Sequence, residues 1–306
     1  MRIIVLLALL ICTQSNAQLV VNNSNFNLHS ETYFNPKFLK VNQIEKITGK
    51  ISIKKELQPI TDLGNIDQFV FDRNGNLTEK IESFTVNYQR KDTSSILYQY
   101  NDINQLISVT NQVNKGFDAT SYQYDSAGKI IKKSFYRGSN MSQYKYQLNE
   151  GKKYYVREES FKIETQSELF EKVTTYNSDG APYLITEIEY NELGNMIKKT
   201  SRFVVTNKKK EVTYTYNESG MLTEIIETSN LTSPIEIKFA YTYDNLGNVY
   251  EELKYKNGIL AERRQFLYED VSSLLTAELI KNEKNNEIKI IQFEYEFFDS
   301  VTKVDP

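Results

Sequence analysis

The chain has 306 residues, a formal net charge of −3 and a mean hydropathy of −0.52, so no strong electrostatic attraction to nucleic acid or acidic membranes is expected. Its single cysteine and single histidine exclude an internal disulfide framework, a Cys–His pair and the usual kinds of zinc site. The 22 Tyr and 16 Phe, beside no Trp and only 5 Pro, favour β-strands with unbroken hydrogen-bond ladders.

Residues 1–17 have the three parts of a signal peptide. Arg2 is the positive part, residues 3–11 are the apolar part, and Ser15-Asn16-Ala17 is a small-x-small cleavage site. The apolar run is shorter than the roughly 20 residues that cross a bilayer, so we expect no transmembrane segment in the mature chain. The prediction is export, with a periplasmic, surface-associated or extracellular protein that starts at Gln18; a buried N-terminal helix or strand is the alternative.

Lipid attachment is a second possibility for this region, because Cys12 lies next to the apolar run. Such sites need a small residue before the cysteine, and Ile11 is large, so a lipoprotein is disfavoured. Cleavage after Ala17 would remove the cysteine from the mature chain.

Residues 18–65 carry no repeat and are predicted to be an N-terminal capping segment, because a repeat array must cover its open edges. His29 lies in a polar stretch there and is interpreted as a solvated loop histidine. Residues 36–48 could form a short helix or a loop, and residues 51–53 and 58–60 look like strands that lead into the repeats. The strand around residues 288–298 would close the other end.

Residues 66–306 are predicted to be a repeat array with the pattern aromatic-x-aromatic-Asx-x-x-Gly-x-aliphatic. Degenerate copies lie near Tyr98, Tyr144, Tyr176, Tyr268 and Tyr295. Six of the 12 glycines occupy the one glycine slot: Gly75, Gly128, Gly180, Gly194, Gly220 and Gly247. The five best copies are 69–77, 122–130, 188–196, 214–222 and 241–249.

Each repeat position has a physical reason. The two aromatic residues are two apart and therefore point to one face of a strand. The Asx side chain opens a turn, and the glycine adopts the left-handed conformation that closes a hairpin loop with a bulge. The positions predicted to be structural are Phe71, Gly75, Tyr100, Tyr124, Gly128, Tyr190, Gly194, Tyr216, Gly220, Tyr243 and Gly247.

The predicted fold class is all-β: tandem antiparallel hairpins that form an elongated meander or β-spiral sheet of roughly 18 to 20 short strands. Asn257-Gly258 is a strong two-residue hairpin signal. The pattern does not determine whether the sheet stays open, coils or closes.

The motif resembles the YD repeat of the RHS/YD-repeat family over residues 69–268. In that family the repeats coil into a continuous β-sheet spiral, and large members close it into a hollow shell around a C-terminal toxin. This chain is too short for such a shell and lacks the large C-terminal effector region and the segment that marks the family's cleavage point. The resemblance therefore implies a short exported β-array.

No catalytic, cofactor-binding or metal-binding residue is predicted. The carboxylate pairs Glu251/Glu252 and Glu158/Glu159 are adjacent in predicted strands and should point to opposite faces. Glu187 and Glu189 share a face that should be solvated. Residues 72–76 begin like a calcium loop but lack the glycine and glutamate that an EF-hand requires at its sixth and twelfth positions.

The predicted function is a non-enzymatic binding or structural module at the bacterial envelope or outside the cell, with no cofactor. A cell-surface glycan or protein is the expected kind of partner, and nucleic acid is not expected. Rows of aromatic side chains could bind sugar rings or peptides, although a role in the core is favoured; Tyr183, Tyr250 and Tyr255 are the candidates for exposure. The alternatives are an accessory or remnant of an RHS-type polymorphic toxin system and a disfavoured carbohydrate-active enzyme.

Overall fold

A computed structural model describes residues 19–20, 34–86, 90–113, 115–142 and 148–299. The predicted signal peptide with Cys12, the loop histidine His29 and the degenerate copy at Tyr144 lie outside these residues. No helix in the described part of the chain is long and apolar enough to span a membrane.

The described residues form one short helix and 18 strands. The helix α1 covers Pro36–Val41; Asn35 caps it by accepting a hydrogen bond from the Lys37 backbone N–H, and Pro36 occupies its first turn. The strands are β1 Ile44–Lys54, β2 Thr61–Phe71, β3 Leu77–Val86, β4 Arg90–Tyr100, β5 Leu106–Val113, β6 Gly116–Tyr124, β7 Ile130–Asn140, β8 Glu150–Ser167, β9 Phe170–Tyr176, β10 Pro182–Tyr190, β11 Met196–Phe203, β12 Lys209–Tyr216, β13 Leu222–Ser229, β14 Ile235–Tyr243, β15 Val249–Lys256, β16 Ile259–Tyr268, β17 Leu275–Asn282 and β18 Ile288–Phe297.

Every strand pairs antiparallel with its neighbours along the chain, and β1 also pairs with β18, so the sheet is a closed barrel. The predicted all-β class and antiparallel hairpins are confirmed, but the expected elongated spiral is replaced by closure. The β1–β18 register runs from Ile44 opposite Phe297 to Lys54 opposite Ile288. Closure satisfies backbone groups that two open edges would leave unpaired.

The predicted capping segment, residues 18–65, divides into parts with different roles. It contains α1, the whole of β1 and the start of β2, so much of it belongs to the barrel itself. Residues 51–53 lie in β1 as expected, whereas residues 58–60 lie in the β1–β2 connection and are not a strand. The strand predicted around residues 288–298 is β18, which closes the barrel by pairing with β1.

The repeated turns lie at one end of the barrel, which we call the glycine rim. It carries the turns of Gly75, Gly128, Gly194, Gly220 and Gly247, each with a hydrogen bond from the glycine N–H to the Asx carbonyl. The turn of Gly180 has the same hydrogen bond but joins β9 to β10 at the opposite rim, because β8 already turned into β9 at the glycine rim. The predicted Asx–glycine turn at Gly180 is confirmed, with φ +76°, but it lies at the rim opposite to the other five.

A plug made of Leu19, Val20 and residues 34–41 fills part of the interior. The Phe34 side chain is fully buried, and its ring meets the rings of Phe69, Phe71 and Phe293 edge-on, with the Phe69 centroid 5.1 Å away. The plug packs against side chains of β1–β5 and β14–β18, which we call the filled half. We call β6–β13 the open half.

Candidate ligand-binding cavity in the open half of the barrel

The predicted repeat positions lie around the turns of the glycine rim. Each predicted aromatic residue is the last residue of its strand, and each predicted glycine has φ between +77° and +84°. The register shifts by one residue just before each aromatic residue, as a hairpin bulge requires. Asn104 replaces glycine in the fourth turn position after Tyr100 and adopts φ +60°, which asparagine tolerates.

The second tyrosine of a repeat also has a role that the sequence pattern did not reveal. Its hydroxyl donates a hydrogen bond to the backbone carbonyl of the residue that opens the return strand of the preceding hairpin. The Tyr124 hydroxyl lies 2.6 Å from the Leu106 oxygen, and the Tyr216 hydroxyl lies 2.7 Å from the Met196 oxygen. Tyr243, Tyr268 and Tyr295 bond in the same way to Leu222, Val249 and Leu275. These bonds tie successive hairpins together at the glycine rim and satisfy buried hydroxyls.

A cavity of about 600 Å³ lies inside the open half, between β6 and β11. Its volume is within the usual range for small-molecule sites. Its wall is mainly apolar, with aromatic side chains from Tyr124, Phe161, Tyr183 and Tyr190 and aliphatic side chains from Ile130, Ile163, Val173, Leu184 and Ile188. A second cavity of about 360 Å³, between β11 and β14, shares Lys199 and Ser201 with the first, so the two adjoin.

Two half-buried lysines of the first cavity, Lys133 on β7 and Lys199 on β11, have no carboxylate within salt-bridge distance in the described part of the chain. The Lys133 ammonium lies over two aromatic faces, 5.5 Å from the Phe161 centroid and 5.8 Å from the Tyr122 centroid. Burial lowers the pKa of Lys133, while nearby Glu159 opposes that shift. Burial also lowers the pKa of Lys199, and the charges of Lys133 and Lys210 lower it further. Both charges therefore lack a protein counter-charge in direct contact.

The two carboxylates of this cavity are each bound to a cation. Glu159 forms a salt bridge with Arg157, and its charge and hydrogen bond, after burial, contribute to raising the pKa of Tyr183 to about 12. Glu171 forms a salt bridge with Lys129. Each of these salt bridges has no net charge. The positive charges of Lys133 and Lys199 are therefore not balanced by the carboxylates of the lining.

The carboxylate pairs considered from the sequence do not converge. Glu158 binds Lys132 on the outer face, while Glu159 lines the cavity. Glu251 binds Arg263, whereas Glu252 points inward toward Arg264, where burial raises its pKa. Glu187 is exposed on the outer face of β10.

The remaining chemical candidates are structural. The Asp72 carboxylate accepts hydrogen bonds from the backbone N–H groups of Asn74 and Asn76, so this turn uses the oxygens that calcium would need. Within the described residues, no group of three or more His, Cys, Asp or Glu side chains could hold a metal ion. Of the tyrosines considered for exposure, Tyr250 is exposed, Tyr255 is partly buried, and Tyr183 lines the cavity.

Comparison with known proteins gives weak structural likeness alone. No protein-family model matches the chain, and no curated protein matches it. A porin-like protein from Bacteroides uniformis aligns with TM-score 0.39 and 15% identity over 83% of this chain and 98% of that one. A porin-like protein from Bacteroides vulgatus aligns with TM-score 0.34 and 11% identity over 83% of this chain and 98% of that one.

A toxin structure is also similar. The Tc holotoxin pore of Photorhabdus luminescens aligns with TM-score 0.30 and 13% identity, covering 75% of this chain but 12% of that chain. At these scores and identities, none of the three carries an argument about function.

Proposed function

We propose that this protein is an exported, non-enzymatic binding protein that holds a small ligand inside the open half of its barrel. The observation that carries the proposal is the cavity of about 600 Å³, with its aromatic and aliphatic wall and a few charged groups. The hydrogen bonds of Tyr124 and Tyr216 tie hairpins of the open half to their neighbours. We also propose that the repeat is a short relative of the YD repeat, on the strength of its turn residues.

The charged outer face of the barrel favours a location in water over one in a lipid bilayer. Outward-pointing strand residues there form salt bridges, such as Lys46 with Glu296 at 2.6 Å and Lys198 with Glu211 at 3.4 Å. Arg263 and Glu251 form another at 2.6 Å. On a lipid-facing surface each such basic residue would cost roughly 2–4 kcal/mol at the bilayer midplane. The proposed location is therefore the periplasm, the cell surface or the outside of the cell.

The alternative functions receive less support. A glycosidase needs two carboxylates in different protonation states near one bond, but Glu159 and Glu171 are each neutralised by a cation. An accessory role in a toxin system stays a hypothesis that rests on the repeat alone. A binding role requires only the cavity and its lining, without a catalytic group.

The test is a ligand screen on the mature protein by thermal shift, with glycans, peptides and small amphiphiles. We expect at least one class to raise the unfolding temperature, because a ligand that binds only the folded state stabilises it. The variant Thr186→Trp should abolish that shift, because Thr186 is buried in the cavity wall and an indole there would occupy the ligand volume.

The matched control is Glu187→Trp, which places the same side chain on the outer face of the same strand. It should leave the ligand-induced shift unchanged. A panel in which no compound stabilises the protein, or a shift that survives Thr186→Trp, would overturn the proposal.

A further inference from the structure

We infer that the ligand of the open half is an amphipathic anion whose carboxylate or phosphate head lies between Lys133 and Lys199 and whose apolar body lies on the wall of the cavity. This inference rests on the proposed function and names the chemical class of the ligand. It assigns a head-group site and an apolar site within one cavity.

The head-group site follows from the charge balance of the cavity. Lys129, Glu159 and Glu171 are each held in a salt bridge by a protein partner. Among the described residues no carboxylate forms a salt bridge with half-buried Lys133 or Lys199. Lys133 gains from two aromatic faces and the nearby charge of Glu159, but an ammonium without a contacting carboxylate is costly in either position. A bound anion would supply the missing counter-charge to both, and charge-assisted hydrogen bonds of this kind are the strong ones.

The positions of the two lysines in the barrel support a shared head-group site. Lys133 lies on β7 and Lys199 on β11, four strands apart along the barrel wall, and both line the same cavity. The positive charge of Lys133 acts on Lys199, which lowers the pKa of Lys199. The two ammonium groups therefore repel each other across the cavity, and an anion between them would remove that repulsion.

The apolar site follows from the rest of the wall. Five aliphatic side chains and the Phe161 ring line the cavity, contributed by β7, β8, β9 and β10. Contact between such a surface and a hydrocarbon chain stabilises the complex by about 25 cal/mol per Å² of apolar area removed from water. These six side chains offer no hydrogen-bonding group to a sugar, so this part of the wall favours an alkyl or similar apolar body.

The experiment measures binding of four probes to the full mature protein by isothermal titration calorimetry. The probes are decanoate, decyl phosphate, decanol and glucuronate, which separate a carboxylate head, a phosphate head, an apolar chain without charge and a charge without an apolar chain. We expect decanoate, decyl phosphate or both to bind at least about tenfold more tightly than decanol and glucuronate, since a charge-assisted hydrogen bond contributes on that order. The stronger of the two anions identifies the head group.

The variants are Lys133→Met and Lys199→Met, which keep an unbranched side chain and remove the charge. Each should weaken anion binding about tenfold and leave decanol binding unchanged. The matched controls are Lys132→Met and Lys198→Met, because these neighbours on the same strands point outward and pair with Glu158 and Glu211. The controls should bind all four probes as the unmodified protein does.

The outcomes separate the two proposals. Binding of decanol as tight as that of both decanoate and decyl phosphate, or anion binding that survives both inward substitutions, would overturn the anion site and leave a ligand-binding cavity in place. Preferential binding of glucuronate would overturn it in favour of an acidic sugar. Failure of all four probes to bind, together with a negative thermal-shift panel, would overturn both proposals.

Discussion

The filled and open halves of the barrel share one repeat but enclose different interiors. In the filled half, Phe69 and Phe266 occupy the first aromatic position of the repeat and are buried, with 6% and 4% of their surface exposed, while Tyr241 is partly buried. In the open half the same position at Ile188 is half-buried and borders the cavity, while at Tyr214 it is buried in a smaller, separate cluster. An 18-strand barrel is too wide for its own side chains to fill. The repeat therefore builds the wall in both halves, whereas the plug fills the interior beside β1–β5 and β14–β18.

The largest expected effect is at the centre of the plug. Phe34→Ala should lower the free energy of unfolding by about 3–5 kcal/mol, because it removes a fully buried ring that contacts three others. Phe161→Ala, in the wall of the open cavity, should cost clearly less. Urea unfolding of both variants measures the difference. Equal losses would show that the two halves do not differ in packing.

The next effect compares two turns of the glycine rim. Gly194→Ala should cost about 1–2 kcal/mol from the positive φ alone, because an added Cβ meets nothing within 4 Å. Gly75→Ala should cost about 1–3 kcal/mol more, because the Cβ would overlap the Pro36 carbonyl of the plug helix. Chemical denaturation compares the pair. If the two variants lose equal stability, α1 does not pack on this turn as described.

A smaller effect concerns the tyrosine hydrogen bonds. Tyr295→Phe should cost about 1–3 kcal/mol, because it leaves the carbonyl of fully buried Leu275 without this donor. Tyr124→Phe should cost about 0.5–1.5 kcal/mol, because Tyr124 lines the cavity and water can replace its hydroxyl. Thermal unfolding of the two variants provides the test. A larger loss at Tyr124 would contradict the assignment of the halves.

The smallest effect is a pH dependence in the open half. Folding lowers the pKa of Lys133 and Lys199 from 10.5, so the unfolded chain binds more protons as the pH approaches 10.5 from below. The free energy of unfolding contributed by these two groups therefore rises with pH in that window. The double variant Lys133→Met/Lys199→Met should lose this rise, and the outward pair Lys132→Met/Lys198→Met should keep it. Denaturant unfolding from pH 8 to pH 10.5 measures the contrast.

Much of the local structure was predictable because it depends on short-range chemistry. The alternation of residues such as Tyr214, Thr215 and Tyr216 marks a strand, and the Asx and glycine positions mark its turn. The Asn257-Gly258 hairpin is confirmed, with φ +50° and +77° at the two residues. The turn at Gly180 shows the limit: its chemistry was predicted, but identical turn chemistry works at either rim, and only the number of intervening strands decides at which rim the turn lies.

The cavity was not predictable, since its lysines and carboxylates come from strands far apart in the chain. In the sequence, Lys133 and Lys199 are members of amphipathic return strands like many others, and Lys132 and Lys198 beside them look equivalent. Strand register determines which lysine of each pair faces inward. Closure of the barrel determines which side chains surround that lysine.

By itself, the sequence determined the strands, the hairpin turns and the antiparallel order, because each depends on residues within one repeat. The tertiary structure decided that β1 meets β18, that residues 34–41 enter the barrel, and that two lysines share a cavity. The physical reason is that pairing between chain ends and packing across a wide interior join residues with no periodic relation to one another.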